Sequence, residues 1–221
     1  MTGPRIALIH AVSLAIAPVV AAFGSHWPQA RPVSLLDESL QPDRDAASYG
    51  GPSFHERLGR LADYALDIGS EGILFTCSAF ADEIEAVKAR LAIPVYRPDE
   101  AVLEAALRTG GNVVVLVTFG PSIGVLSTQL KELAPKLGHT GAAEVRLVPD
   151  ALDAVRAGDR DRHDTLIAAA AAAAGDATIV LGQYSMTGAA EAVLEATGRR
   201  PLTGPDQAVL KLDLDRLKSR V

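Results

Sequence analysis

The 221-residue sequence holds a single cysteine, Cys77. One cysteine excludes an internal disulfide and fits a reducing cytoplasm. No CxxC or HExxH occurs and the five histidines are scattered, so no metal-ligand spacing is present. Runs of lysine or arginine are also missing, and the net charge is −6, which disfavours nucleic acid and anionic membranes as partners. No apolar stretch is long and clean enough for a transmembrane helix. The nearest approach, Ile6 to Phe23, follows Arg5 and ends near the small pair Ala21-Ala22, in the manner of a signal peptide. His10 and Ser13 interrupt it, Pro18 follows, and a matching run stands after Asn112, deep inside the chain. We read it as the first strand and helix of the fold.

What is there is ordinary globular material: 48% hydrophobic and 22% charged residues. The length suffices for one large domain or two small lobes with cores of their own. The chain is organised around Gly72 to Leu103. A short apolar run, Gly72 to Phe75, reads as a buried parallel strand and ends at Thr76-Cys77-Ser78. Phe80, Ile84, Val87 and Leu91 then recur at helical spacing. Cys77 is thus expected where a strand ends and a helix begins, where N–H groups favour a thiolate and bind anions.

The same stretch occurs twice. PVYRPDEAVL from Pro94 matches PLTGPDQAVL from Pro201 at an offset of 107 residues, and Glu85-Ala86-Val87 matches Glu191-Ala192-Val193 at 106. That register pairs Cys77 with Gln183. Arg5 to Ile9 aligns with Asn112 to Leu116, and His55 falls near His163. Chance similarity between generic strand-helix units explains one such match; four in register indicate duplication of a whole lobe.

Strands are expected at Ile6 to His10, Val33 to Leu36, Gly72 to Phe75, Pro94 to Tyr96, Asn112 to Val117, Glu144 to Val148 and Thr178 to Leu181. Helices are expected at Leu14 to Phe23, Phe54 to Ile68 capped by Ser53, Phe80 to Leu91, Asp99 to Leu107, Ile123 to Leu137, Leu166 to Ala174, Ala189 to Thr197 and Pro205 to Leu217. Gln41 to Pro52 is polar and reads as a loop long enough to be a lid. Alternation of strands and helices predicts an α/β fold with mostly parallel sheets flanked by helices. The first lobe is 1–97, with 205–221 packing back on it, and the second is 98–204. Ligands bind such sheets beyond the carboxyl ends of the strands. Those ends carry His10-Ala11, Asp37-Glu38-Ser39, Thr76-Cys77-Ser78, Thr118-Phe119-Gly120 and Gln183-Tyr184-Ser185. The expected site is a cleft between the lobes.

This layout resembles the aspartate/glutamate/hydantoin racemase superfamily, which includes arylmalonate decarboxylase-like and maleate isomerase-like enzymes. Cys77 with Ser78 is similar to the family's first catalytic cysteine after the third strand. The turn from Thr118 to Ser122 resembles its hydroxyl-rich turn opening the second lobe. The resemblance implies two pseudo-symmetric lobes, no cofactor, and chemistry at a carbon next to a carboxylate. Two-base members carry a second cysteine where this chain has Gln183. The family's acidic residue after the first strand is replaced here by His10-Ala11. Single-cysteine relatives of the arylmalonate decarboxylase type keep the cysteine of the second lobe; this chain keeps that of the first.

The residues expected to act are therefore Cys77 as the catalytic thiol and His10 as its partner, the one strand-end group that titrates near neutrality. Thr76, Ser78, Thr118, Ser122, Gln183, Tyr184 and Ser185 are expected to hold a small carboxylate substrate, with donors that stabilise an enediolate. Each has a plainer alternative. A lone cysteine is often an inert core residue, Thr76 and Ser78 can cap a helix, and a lone histidine is often structural. Asp37 and Glu38 bind an amine or cap a turn; Asp99 and Asp206 are helix-start acids. His26, His55, His139 and His163 read as solvated. The primary expectation is a cofactor-independent racemase-type isomerase in the cytoplasm. A single-cysteine decarboxylase, covalent attack by Cys77 and a non-catalytic carboxylate binder are the alternatives. Helix faces rich in alanine and leucine are compatible with a homodimer.

Overall fold

Short β-branched or fully apolar runs bounded by polar turns become buried parallel strands. In the computed structural model, which describes residues 3–218, eight strands form two four-stranded parallel sheets, of which the edge strands at 31–36 and 143–147 are partly exposed. Contacts divide the chain into two units. One holds the residues up to Pro98 together with those from Ala208 on; the other is Asp99–Gln207.

In the first unit the strands are β1 (Arg5–His10), β2 (Arg31–Leu36), β3 (Gly72–Phe75) and β4 (Val95–Tyr96), in the order β2-β1-β3-β4. The run after Arg5 is thus a strand, followed by helix α1 (Ile16–His26), with Pro18 in its first turn. There proline costs no internal hydrogen bond. Helix α2 (Leu40–Asp45) lies within the stretch expected to be a loop, which leaves only residues 46–52 irregular before α3 (Phe54–Asp67). Ser53 caps α3 in a full capping box: its Oγ accepts from the Glu56 N–H, and the Glu56 carboxylate accepts from the Ser53 N–H. Helix α4 (Ala81–Arg90) starts later than its apolar spacing suggests, because Ser78–Phe80 forms a separate 3-10 turn. Ala7, Ile9, Ile73 and Phe75 share one sheet face and pack with Leu58, Ala62 and Ala65 of α3 and Ile84 and Val87 of α4. Ile6, Leu8 and Leu74 point to the opposite face by the strand alternation and are equally buried.

In the second unit α5 (Glu100–Leu107) leads into β5 (Val113–Val117), then α6 (Ser122–Lys136), β6 (Ala143–Leu147), α7 (Ala151–Arg156), α8 (Arg160–Ala172), β7 (Thr178–Leu181), α9 (Ala190–Thr197) and β8 (Leu202–Thr203). The order β6-β5-β7-β8 repeats that of the first sheet. The short helix α7 had no apolar period to announce it, and α8 begins six residues before the expected Leu166, with the Asp159 side chain accepting from the Arg162 N–H. Every residue of β5 is buried because helices cover both faces. Val114, Leu116, Ile179 and Leu181 pack against α8 and α9, while Val113, Val115, Val117 and Val180 pack against α5 and α6. The alanines of α8 that join this core, Ala168 and Ala171, are small enough for close approach. The last helix, α10 (Gly204–Lys218), opens with Thr203: its Oγ1 accepts from the Asp206 N–H and donates to the Asp206 carboxylate. Among the described residues no helix is long and apolar enough to cross a membrane.

Candidate functional site

The strand ends repeat their hydrogen bonding from one unit to the other. The Thr76 N–H donates to the Ile9 carbonyl at 3.0 Å, and the Gly182 N–H to the Leu116 carbonyl at 2.8 Å. The Asp37 N–H donates to the His10 carbonyl at 3.1 Å, and the Val148 N–H to the Val117 carbonyl at 2.8 Å. Cys77 and Gln183 follow at matching places. Each is extended, with φ/ψ of −127°/121° and −136°/142°, and each caps a 3-10 turn. The sequence register and the backbone agree on this equivalence.

Cys77 is half-buried and packs against the cluster of Ile9, Ala11 and Phe80. The helix expected to begin beside it is a three-residue 3-10 turn, so the thiol heads no long helix dipole; α4 starts four residues on. The Cys77 thiol lies 3.9 Å from Oε1 of Gln41, which α2 supplies. No motif marked Gln41, because its helix sits in a polar segment. Ser78, half-buried, opens the 3-10 turn next to the thiol.

Thr76 does not cap that turn. Its Oγ1 lies 2.8 Å from His10 Nδ1 and 3.4 Å from the Ile9 carbonyl. Nε2 of His10 lies 3.1 Å from Ser34 Oγ on β2. His10 was expected to face a substrate. It has no exposed surface, both ring nitrogens are engaged, and burial pushes its pKa from 6.5 down to about 4. The ring is neutral at pH 7 and lies beneath the strand end, where it fixes Thr76. In the second unit the equivalents of His10 and Thr76 are Val117 and Gly182. A Cβ on Gly182 would stand 2.8 Å from Val115 Cγ1, 2.9 Å from the Leu116 oxygen and 2.9 Å from Val117 Cγ1. A polar pair in one unit is an apolar side chain closed over glycine in the other.

Gln183 is held by the turn after β5. Its Oε1 accepts from the Thr118 N–H at 2.7 Å, the Thr118 hydroxyl at 2.9 Å and the Phe119 N–H at 3.3 Å. Thr118, expected to bind substrate directly, spends both its donors on this side chain. Ser122 is buried as the first residue of α6, and its N–H donates to the Phe119 carbonyl, closing the turn. Tyr184 is buried rather than presented. Burial, then the charges of Asp99 and Asp206, raise its pKa well above the usual phenol value, so it stays protonated. Ser185 is half-buried in the 3-10 turn. Asp99 accepts from Gln129 Nε2 at 2.8 Å inside the unit. His163, read as solvated, is buried with Nδ1 2.7 Å from Asp164, and His139 is half-buried with Nδ1 2.8 Å from the Leu107 carbonyl.

A second polar cluster stands at the end of β2. Arg57 of α3 reaches Asp37 at 2.7 Å, Asp43 at 2.5 Å, Ser39 Oγ at 2.5 Å and Tyr49 Oη at 3.2 Å. Burial works against its charge, but the bonds to Asp37, Asp43 and Tyr49 outweigh it and raise the pKa. Burial likewise opposes the charge of Asp37, and hydrogen bonds from Ser39 and Arg57 hold its carboxyl below the usual range. Asp37, weighed as an amine ligand, thus caps a turn through Ser39 and pairs with Arg57. The cluster borders a cavity of about 420 Å³ lined also by Pro52, Arg60 and Leu61.

The fold has solved counterparts at low identity. A glutamate racemase isoform from Bacillus anthracis superposes with a TM-score of 0.72 at 14% identity, covering 99% of this chain and 84% of that one. Allantoin racemase from Pseudomonas fluorescens gives 0.66 at 19% identity, covering 97% and 92%. Picrophilus torridus aspartate racemase gives 0.65 at 13%, covering 95% and 94%. None of the curated proteins matches this sequence. The model of the Asp/Glu/Hydantoin racemase family matches residues 15–212. That match spans Cys77, the Thr118 turn and Gln183, and on it the chain belongs to the Asp/Glu/hydantoin racemase family as a racemase-type enzyme.

Proposed function

We propose that this enzyme moves a proton at a carbon next to a carboxylate, with Cys77 as the acid/base group. The observation that carries this is the place of the only cysteine. It is half-buried at the end of β3, next to Ser78, in a chain of a racemase family. The thiolate takes the proton from the α-carbon. The C–H electron pair moves into the carboxylate to give an enediolate, and N–H and hydroxyl donors at the strand end stabilise its oxygens. Return of a proton from the thiol to the same face exchanges the α-hydrogen with retention; inversion requires water to protonate the opposite face while the proton on sulfur passes to solvent. His10 acts through Thr76, which it holds one residue before the thiol; it does not itself touch substrate.

A second reading is favoured by Gln183, which cannot exchange protons with carbon at neutral pH. Decarboxylation of an activated diacid breaks a C–C bond, leaves its electron pair in the enediolate and needs only one proton, delivered by the Cys77 thiol. One experiment separates the two. Aspartate, glutamate and an arylmalonate are each incubated with enzyme in D2O, and α-deuteration, configuration and loss of carbon dioxide are followed. Exchange of the α-proton without loss of carbon dioxide supports the first reading, with retention where the thiol alone returns the proton and inversion where water protonates the opposite face, and release of carbon dioxide with one product enantiomer supports the second. Either must vanish in Cys77→Ala. Turnover that survives this substitution removes Cys77 from both.

A further inference from the structure

The oxygen and nitrogen of the Gln183 amide are not interchangeable here. Two backbone N–H groups and a hydroxyl converge on one atom, which must be the acceptor, so the assignment of Oε1 follows from its surroundings. The nitrogen then points the other way. Among the described residues Nε2 makes no hydrogen bond, and the residue is half-buried rather than buried. Rotation about the amide would strand the Thr118 N–H, which belongs to a buried residue. Donors crowded on an amide oxygen also polarise its N–H groups and strengthen them as donors.

We propose that Gln183 is a locked hydrogen-bond donor that binds a carboxylate oxygen of the substrate, with Thr118 and Phe119 as its positioning residues. Three features converge on this. The oxygen is captive, so the side chain cannot present an acceptor. The NH2 group is neutral at every working pH, so it selects an oxygen acceptor and rejects an ammonium group. The residue stands at the carboxyl end of a parallel strand, where ligands of such sheets bind. The Thr118 turn therefore serves a carboxylate at one remove, through a side chain that fills its donor nest. This inference rests on the proposed proton transfer only in taking the ligand to be a small acid.

The test is an NMR titration of protein labelled with 15N at glutamine side chains, with the Gln183 signal assigned by its loss in Gln183→Glu. Malonate, L-aspartate and L-glutamate are the probes, and ethylamine, which has an amine but no oxygen acceptor, is the control. At least one acid should shift the Gln183 NH2 signal saturably, and ethylamine should not. Gln183→Glu keeps an acceptor in the nest but replaces the donor with a second oxygen, so affinity for that acid should fall tenfold or more. Should that variant fail to fold, Gln183→Met takes its place, the affinity of either variant being read by calorimetric titration because neither carries the Gln183 signal, and the wild-type shift stands without either. An acid that binds without moving the Gln183 signal overturns the proposal, as does equal affinity in wild type and Gln183→Glu, or silence toward all three acids. Turnover lost in Cys77→Ala but with an unchanged KM in Gln183→Glu overturns this inference and leaves the proposed function intact. A shifted Gln183 signal without any turnover does the reverse.

Discussion

His10 Nδ1 lies 2.8 Å from the hydroxyl of Thr76, 66 residues away in sequence and one residue before Cys77. The pair joins the ends of two neighbouring strands and leaves a neutral, fully buried imidazole under the thiol's segment. Its counterpart in the second unit is an apolar contact over glycine. The two units therefore keep the same backbone with opposite chemistry beneath the matching strand ends.

The first prediction concerns acid. The unfolded His10 ring titrates near 6.5, while the native ring resists protonation until about pH 4. Between those values the unfolded state binds more protons, so stability falls as pH drops through 6.5 and the loss is complete below the native pKa. The loss approaches ~3 kcal/mol at its limit. Urea unfolding of wild type and His10→Asn at pH 7.5 and pH 4.5 measures it. The variant starts less stable, since Thr76 and Ser34 lose a partner, but loses less on acidification. Parallel pH profiles would show that His10 is not the group responsible.

The second concerns Gly182. A methyl group there meets backbone oxygen as well as two valines at under 3.0 Å, so Gly182→Ala should destabilise by about 1–3 kcal/mol. Gly188→Ala is the control, because nothing lies within 4 Å of its Cβ position. Chemical denaturation of both variants checks this, and equal stabilities would contradict the close approach.

The third concerns Arg57. Its side chain is 12% exposed and pairs with two carboxylates, so Arg57→Met leaves Asp37 and Asp43 without their common cation. We expect a loss of about 2 kcal/mol, between the values for exposed and buried pairs. Faster proteolysis within residues 46–52 should accompany it, since Arg57 also bonds Tyr49. Wild-type stability and cleavage rate in the variant would make the cluster a surface decoration.

The fourth concerns the thiol. Cys77 is half-buried, so iodoacetamide should label the native protein, and the single cysteine makes the reaction site-specific. Gln41→Ala should raise the rate by opening the approach from α2. Labelling limited to the rate of global unfolding would instead class the thiol as core.

The duplicated α/β layout was legible in the sequence because it is written locally. Val113 to Val117 is a strand by composition, Ser53 and Glu56 form a cap three residues apart, and PVYRPDEAVL returns as PLTGPDQAVL in step with the strands. The strand ends that carry Cys77 and Gln183 follow from the same register. What their side chains do was decided only in three dimensions. Helix α2 sits in a segment that looked like a loop, its Asp43 held by an arginine 14 residues on. His10 is expected to be catalytic from its type and place, yet becomes a buried brace because Ser34 and Thr76 close on it from neighbouring strands. Gln183 has its oxygen captured by a turn 65 residues earlier. Apolar periodicity and capping act within a few residues and survive in any reading of the chain. A polar side chain's partner is chosen only when distant strands are brought side by side, because its hydrogen bonds depend on angstrom-scale positions that local pattern does not encode.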